Sequence, residues 1–294
     1  MNKNKKDTKT KVTKSRGQFA IVLLSFKRNK LAMAGLIILF ILFLTAIFAP
    51  FIAPYGFDTT DYDNTFQQPS AEHLFGTDEF GRDIFSRVVY GSRLSLSVGF
   101  IAVAISVVIG GTLGAIAGFY QKQIDNLIMR FMDILLAIPQ FLLAISIVAV
   151  LGPGLFNLMI AVGISSIPRY ARIVRATTMT IKGEEYIEAA VASGTNDTGI
   201  IFKHILPNCM APLIVQISLG IADAILMAAG LSFIGLGIQP PAPEWGAMLS
   251  GGRNYIRGWA YMTYFPGLAI FFTTLSLNLV GDGLRDALDP KLKN

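Results

Sequence analysis

Three carboxylates lie close together in a stretch that is too polar to cross a bilayer: Glu184, Glu185 and Glu188. The spacing predicts a short helix with these acids at its positive end and with Gly194 at its C-terminal stop. The small side chains of Ala189 and Ala190 would let the backbone of another protein approach closely. The pattern therefore indicates a contact surface, while an ordinary loop helix with a good C-terminal cap is the plainer alternative.

The other reactive side chains are too few or too far apart to form a catalytic or metal site. The two histidines, His73 and His204, are separated by three long apolar stretches, and Cys209 is the only cysteine. Neither a disulfide within the chain nor a cysteine metal cluster can form. The sequence has no phosphate-binding loop of the G-x-x-x-x-G-K-[ST] type and no H-E-x-x-H helix. We expect no catalytic residue, metal or cofactor on this chain, and we disfavour a membrane-embedded hydrolase.

One further carboxylate, Asp223, lies inside an apolar stretch. A carboxylate within a membrane span is costly and suggests a function by default. Asp223 could line a substrate path or carry protons in a stand-alone secondary transporter; it could instead be protonated or face a watery cavity. Arg130 and Asp133, near the end of another stretch, are expected to snorkel or to pair with each other.

Long apolar stretches must position these residues. Hydrophobic residues make up 53% of the 294 residues and charged residues only 15%, whereas soluble proteins average about 25% charged. Six stretches reach or approach the roughly 20 apolar residues that cross a bilayer: 31–52, 94–119, 127–151, 155–168, which ends at Pro168, 212–234 and 261–284. Because backbone groups in lipid must be paired within their own segment, we predict an all-α, polytopic membrane protein with six transmembrane helices.

The basic residues predict the orientation. Ten of the 25 Lys and Arg residues lie in the first thirty positions, and such flanks stay in the cytoplasm. With six crossings, the C-terminus and the loop 170–207 are also cytoplasmic. The tail 1–30 lacks apolar periodicity and is predicted to be disordered; its charge suits anionic lipid headgroups better than nucleic acid. The first span with an extracytoplasmic segment, 31–93, and a core of five spans, 94–294, complete the predicted organisation.

The outer segments carry weaker patterns. From Asp78 to Arg93 the sequence predicts an amphipathic helix along the outer interface, with Asp83 placed to pair with Arg87. Gly152-Pro153-Gly154 predicts a tight turn. Aromatic residues of the kind that settle at headgroup level follow later in the chain: Trp245, Tyr255, Trp259, Tyr261 and Tyr264.

The second apolar stretch carries a small residue at every fourth position: Ala102, Ser106, Gly110, Gly114 and Gly118. Small residues at this interval form a smooth ribbon on one helix face, and helices in lipid associate largely through such close approach. The ribbon predicts that this helix is central to the bundle, and nothing in it implies chemistry.

The polar segment resembles the cytoplasmic signature E-A-A-x3-G-x9-I-x-L-P of the permease subunits of binding-protein-dependent ABC importers. The matching residues are Glu188, Ala189, Ala190, Gly194, Leu206 and Pro207, and His204 stands in place of the usual Ile. Further blocks are similar to the dipeptide/oligopeptide permease C subfamily: Gly76-Thr77-Asp78, Gly81-Arg82-Asp83, residues 231–237, residues 281–286, and Asp289-Pro290. Together they cover most of the chain from about Leu31 onward.

The resemblance implies a six-span pore subunit in a bacterial cell membrane. It implies pairing with a homologous permease, two cytoplasmic ATPases that hold ATP and magnesium, and an extracytoplasmic binding protein that delivers peptide. The ATPases would grip the loop that contains Glu185 and the coupling helix from Glu188 to Gly194, with Leu206 and Pro207 behind it. Importers of nickel, metal chelates or glutathione share these motifs. A proton-coupled transporter using Asp223 is the alternative of another class, and its transport would collapse with the proton gradient.

Overall fold

The chain folds into α-helices that range from three to 37 residues, and the computed structural model describes residues 24–288. The helices are α1 (Lys30–Ile47), α2 (Ala49–Ile52), α3 (Ile84–Tyr120), α4 (Lys122–Ala137), α5 (Gln140–Leu151), α6 (Leu155–Ile181), α7 (Glu185–Ala192), α8 (Asp197–Gly199), α9 (Leu206–Asn208), α10 (Met210–Phe233), α11 (Trp245–Gly252) and α12 (Tyr261–Leu288). A π-helical segment, Ile200–Ile205, joins α8 to α9. Most of the predicted basic tail 1–30, and the pair Asp289-Pro290, lie outside the described residues.

Within the described residues, four helices are long and apolar enough to cross a membrane: α1, α3, α10 and α12. The pair α4 and α5 passes the same test only when taken together, and it is bent by 90°, so that the number rises at most to five. Helix α6 has 27 residues, which is ample length at about 1.5 Å per residue, but it carries Arg169, Arg172 and Arg175. The all-α prediction is confirmed for residues 24–288; the predicted number of six spans is not.

Two predicted helix boundaries are wrong. The stretch 127–151 is not one straight helix, because Pro139 restricts the residue before it and Ile138 is extended, at φ −94° and ψ 128°. The next helix does not end at Pro168, since α6 runs through this proline to Ile181. Residues 170–181 therefore belong to α6 and not to the predicted loop 170–207. Packing of α6 along α3 supports this polar half of the helix.

The predicted interfacial helix from Asp78 to Arg93 is also wrong. Helix α3 begins at Ile84 and continues for 37 residues, with the Asp83 carboxylate capping its first turn. Asp83 lies 3.0 Å from Nδ1 of the buried His73 and does not pair with Arg87. The buried guanidinium of Arg87 lies instead 3.7 Å from Asp78. An aspartate before an apolar run is a capping signal as well as an ion-pair signal, and here capping prevails.

The centre of the bundle is the contact between α3 and α6, which run parallel. Ser106 Oγ donates to the carbonyl of Gly163 at 2.7 Å. A Cβ added at Gly110 would lie 2.6 Å from the carbonyl oxygen of Ile167, and Cβ atoms at Gly114 and Gly118 would also collide with the α6 backbone. The two backbones touch along the ribbon, so only the smallest residues fit there.

At the end of the bundle where α3 begins, the loops before α3 and around α11 fold over the helices. Trp245 is 1% exposed and donates from Nε1 to the carbonyl of Val88 at 3.0 Å. Its predicted place among lipid headgroups is therefore wrong. Tyr261 is buried too, and its hydroxyl donates to the carbonyl of Thr77. The rings of Trp245 and Tyr261 are part of the packed core beneath these loops, whereas Tyr264 is exposed.

Candidate functional site

The acidic segment forms the predicted short helix, α7, and stops where glycine was expected. Gly194 has φ +78°, in the left-handed region that favours glycine. The N–H of Thr195 donates to the carbonyl of Ala190, and the N–H of Gly194 donates to that of Val191. This pair of hydrogen bonds is the Schellman arrangement, which satisfies carbonyls at a helix end. The helix and its C-terminal stop are confirmed.

Most of the surface of helix α7 is exposed. Ile187 is its only buried residue. Glu185, Glu188 and Ala189 are exposed, and Ala190 is half-buried. Two larger apolar side chains of the helix, Tyr186 and Val191, are also exposed, by 44% and 56%. Apolar groups rimmed by carboxylates on a protruding helix are typical of a protein contact surface.

Hydrogen bonds hold the residues on either side of α7. Before it, the Lys182 ammonium donates to the carbonyl of Phe119 at 2.7 Å, which holds the end of α6 against the end of α3. After it, the Asn196 side chain caps α8 by accepting from the N–H of Gly199 at 2.8 Å. Only a short non-helical turn, near Gly194 and Thr195, separates α7 from this capped helix. The segment is therefore stiff, as a mechanical link requires.

The second half of the segment, from α8 to α10, is helical except at Cys209. In its π-helical part the N–H of Leu206 donates to the carbonyl of Ile201, five residues back. Pro207 lacks an N–H and its ring would crowd the carbonyl of Lys203, which explains why the α-helical pattern fails just before it. Leu206 and His204 are half-buried, and Pro207 is exposed. The substitution of His for the usual Ile thus falls at the edge of the core.

A buried thiol lies between α9 and α10. Cys209 is fully buried, with its Sγ 3.9 Å from the hydroxyl of Thr178 on α6. Burial raises the pKa of the Cys209 thiol. The contact places the start of α10 directly against α6, so that both helices flanking α7 are packed together.

Charged residues on α6 pair with two other helices, α4 and α10. Arg169 donates to Asp223 on α10 at 2.6 Å, and Arg172 donates to Asp133 on α4 at 2.6 Å. The expected pairing of Asp133 with Arg130 is therefore wrong, because an arginine from across the bundle reaches the carboxylate. Sequence reasoning missed Arg169 and Arg172; the signal was their spacing of three residues in the polar half of α6.

A buried carboxylate lies at the end of the bundle where α3 begins. Glu244 is 2% exposed and caps α11 by accepting from the N–H groups of Gly246 and Ala247, at 3.0 and 2.9 Å. Burial raises the pKa of the Glu244 carboxyl. Its hydrogen bonds are those of a structural cap. Within residues 24–288, no cluster of His, Cys, Asp or Glu is suited to hold a metal ion.

Comparison with known proteins identifies the family. Residues 110–294 match the profile described as binding-protein-dependent transport system inner membrane component, and residues 17–69 match the N-terminal TM domain of oligopeptide transport permease C. The dipeptide transport system permease protein DppC of Alkalihalophilus pseudofirmus is 54% identical over 91% of this chain and 88% of its own. The glutathione transport system permease protein GsiD of Pectobacterium atrosepticum is 47% identical over 92% and 90%.

A solved structure shows the same fold. A chain from inward-facing conformations of the MetNI methionine ABC transporter superposes with a TM-score of 0.56, at 18% sequence identity, over 69% of this chain and 96% of that one. The profile matches and the identities agree with the motifs around Glu188 and Gly194. The chain therefore belongs to the family of binding-protein-dependent transport system inner membrane components, the membrane-embedded permease subunits of ABC importers.

Proposed function

We propose that this chain forms half of a pore that imports small peptides and is driven by cytoplasmic ATPases that grip α7. The observation that carries the proposal is α7 itself: an exposed helix between the 27-residue α6 and the helical run that leads into α10. Di- and tripeptides are the favoured substrates, since relatives named for dipeptide and for di/tripeptide transport are 54% and 50% identical over more than nine tenths of this chain. Relatives named for glutathione transport support a second candidate, glutathione.

Coupling follows from how α7 is held. The chain has no phosphate-binding loop, so ATP and magnesium belong on partner ATPases. A groove that closes on Glu185, Glu188, Ala189 and Ala190 would move α7. Ile187 transmits the movement because it packs into the core beside the π-helical segment. Leu206 and Pro207 carry it into α10, and ATP then biases two arrangements of the pore.

Six crossings complete the proposed topology. Helices α1, α3, α10 and α12 supply four, the bent pair α4 and α5 supplies one, and α6 supplies the sixth. Both termini are then cytoplasmic, as the basic tail 1–30 requires under the positive-inside rule. The segment 31–93 reaches the outside, where a binding protein delivers substrate. A homologous permease covers the other side of the pore, and the complex lies in the bacterial cell membrane.

The test is assembly and uptake in proteoliposomes that contain the second permease, the ATPases and the binding protein. Glu188→Lys reverses a charge on α7, and Gly194→Val forces a branched side chain into φ +78°. Both variants should enter the membrane in normal amounts, yet lose most ATPase co-purification and most ATP-dependent uptake. Asp63→Lys is the matched control, since it reverses an exposed carboxylate at the opposite end of the bundle. Normal co-purification in both α7 variants would refute the coupling role.

The same vesicles distinguish the alternatives. Competition between labelled dipeptide and glutathione separates the two substrates. The proton-coupled alternative requires Asp223 as a free carboxylate, whereas Asp223 is paired with Arg169 at 2.6 Å. We expect uptake to survive collapse of the proton gradient and to stop without ATP. The reverse result would favour the secondary transporter.

A further inference from the structure

An ion pair lies half-exposed on the face formed by α6 and α10. The Arg169 and Asp223 side chains are 44% and 54% exposed, although their charged atoms are 2.6 Å apart. The Gln216 amide oxygen, in the orientation that satisfies the amide, accepts from Nε and Nη2 of Arg169 at 2.8 Å each. The guanidinium is thus held by the amide on one edge and by the carboxylate on Nη1.

The pair lies deep along both helices. Arg169 is fourteen residues after Leu155, the start of α6, or about 21 Å along the axis. Asp223 is thirteen residues after Met210, the start of α10, or about 20 Å along it. Charges at such depth are too costly to face hydrocarbon, so the face must meet water or another protein.

Neighbouring turns of α6 continue this polar face. Gln140 donates to Ser166 at 2.8 Å one turn before Arg169, and Arg172 pairs with Asp133 one turn after it. The successive polar groups extend along the helix axis. A face of this kind is typical of a water-filled path.

A third ion pair on α6 shows the contrast. Arg175 engages Asp125 through two hydrogen bonds, and Asp125 is only 8% exposed. This pair locks α4 onto α6 and leaves the carboxylate no free side. The pair of Arg169 and Asp223 has the same chemistry but remains open to an incoming group.

We propose that Arg169 and Asp223 form a binding station for zwitterionic substrates on the translocation path. The substrate carboxylate would take the place of Asp223 on Arg169, and the substrate ammonium would take the place of Arg169 on Asp223. A free peptide carries both charges, so all four charges are paired in the bound state. Gln216 keeps the guanidinium oriented while the pair is open. This inference rests on the proposed function of peptide import.

The test measures selectivity for peptide charge. Uptake of neutral, lysine-containing and glutamate-containing dipeptides is compared in the complete reconstituted complex, and each rate is divided by the rate with the unchanged chain. This division cancels the preference of the binding protein. Arg169→Gln leaves an unpaired carboxylate and should favour the lysine peptide over the glutamate peptide by about three- to fivefold, as expected for half-exposed ion pairs. Asp223→Asn should shift the ratio in the opposite direction by a similar factor.

Three controls separate a binding role from a structural one. Arg169→Lys and Asp223→Glu keep the charges and should keep the original selectivity. Asp125→Asn breaks the locked pair and should lower uptake of all three peptides equally. The inference is overturned if Arg169→Gln and Asp223→Asn also lower all three equally, or shift the ratio in the same direction. Absence of peptide uptake by the unchanged chain would refute the proposed function and this inference with it; normal uptake with unchanged ratios would refute this inference alone.

Discussion

Replacing Gly110 by alanine should separate the two central helices, whereas the same change at Gly111 should not. A Cβ at position 110 would lie 2.6 Å from the carbonyl oxygen of Ile167, while one at position 111 would meet only Val174 Cγ2, at 3.9 Å. Close contacts between carbon and a carbonyl oxygen are about 3.3 Å. The backbone of α3 must therefore retreat from α6 by about 0.7 Å along a contact that has no flexible side chain to yield.

The magnitude follows from a difference between the two variants. Alanine is favoured over glycine within a helix by about 1 kcal/mol, and this gain applies equally to both neighbouring positions. Overpacking of a tight interface costs about 1–3 kcal/mol and applies to Gly110→Ala alone. The free energy of unfolding of Gly110→Ala should thus lie about 1–3 kcal/mol below that of Gly111→Ala.

The assay is unfolding of the full chain in mixed micelles, followed by circular dichroism as the fraction of denaturing detergent is raised. The unchanged chain is the reference for both variants. Equal midpoints and slopes for the two variants would show that α3 and α6 do not meet through their backbones, and the packing argument would fail.

Three further predictions concern buried polar groups. Asp125→Asn should lower the free energy of unfolding by about 1–2 kcal/mol in the same micelle titration, because it breaks a largely buried pair whose arginine remains partly solvated; an unchanged midpoint would contradict this. Burial raises the pKa of Cys209, so its thiol should react with maleimide at least about tenfold more slowly than a Tyr186→Cys thiol in a Cys209→Ser chain, and equal rates would count against its burial. Burial also raises the pKa of Glu244 above its ordinary 4.5, so its ionisation lowers stability as the pH rises through the raised value; Glu244→Gln lacks this loss, and its thermal midpoint relative to the unchanged chain should increase with pH, a constant difference being the contrary result.

Local signals on the chain were sufficient to predict α7 and its end. The acidic residues at its start, the small residues within it and the glycine at its end all influence the backbone within a few positions of themselves. Helix α7 also has only one side chain that must be buried. The ribbon of small residues from Ser106 to Gly118 could be predicted for a similar reason, since a spacing of four residues depends on one helix alone. That its partner is α6 could not be read from the interval.

Features that depend on another part of the chain were missed. The stretch 127–151 is apolar enough for one span, and Pro139 was its only sequence signal for the 90° bend between α4 and α5. Polar residues after Pro168 suggested a loop, but contact with α3 and pairing of Arg172 and Arg175 with α4 keep the helix going. Tryptophan is a residue type typical of the membrane interface, but Trp245 is buried because the loops before α3 and around α11 fold over the bundle.

The π-helical segment Ile200–Ile205, which lies between α7 and α10, is wound less tightly than an α-helix. Its hydrogen bond from Leu206 reaches back five residues where an α-helix reaches four. If the extra residue of this turn were taken up into an ordinary α-helical turn, the residues that follow would rotate by about 100° and shift by about 1.5 Å along the axis. Pro207 prevents that change because its ring would crowd the carbonyl of Lys203, so the segment fixes the direction in which α10 presents Asp223.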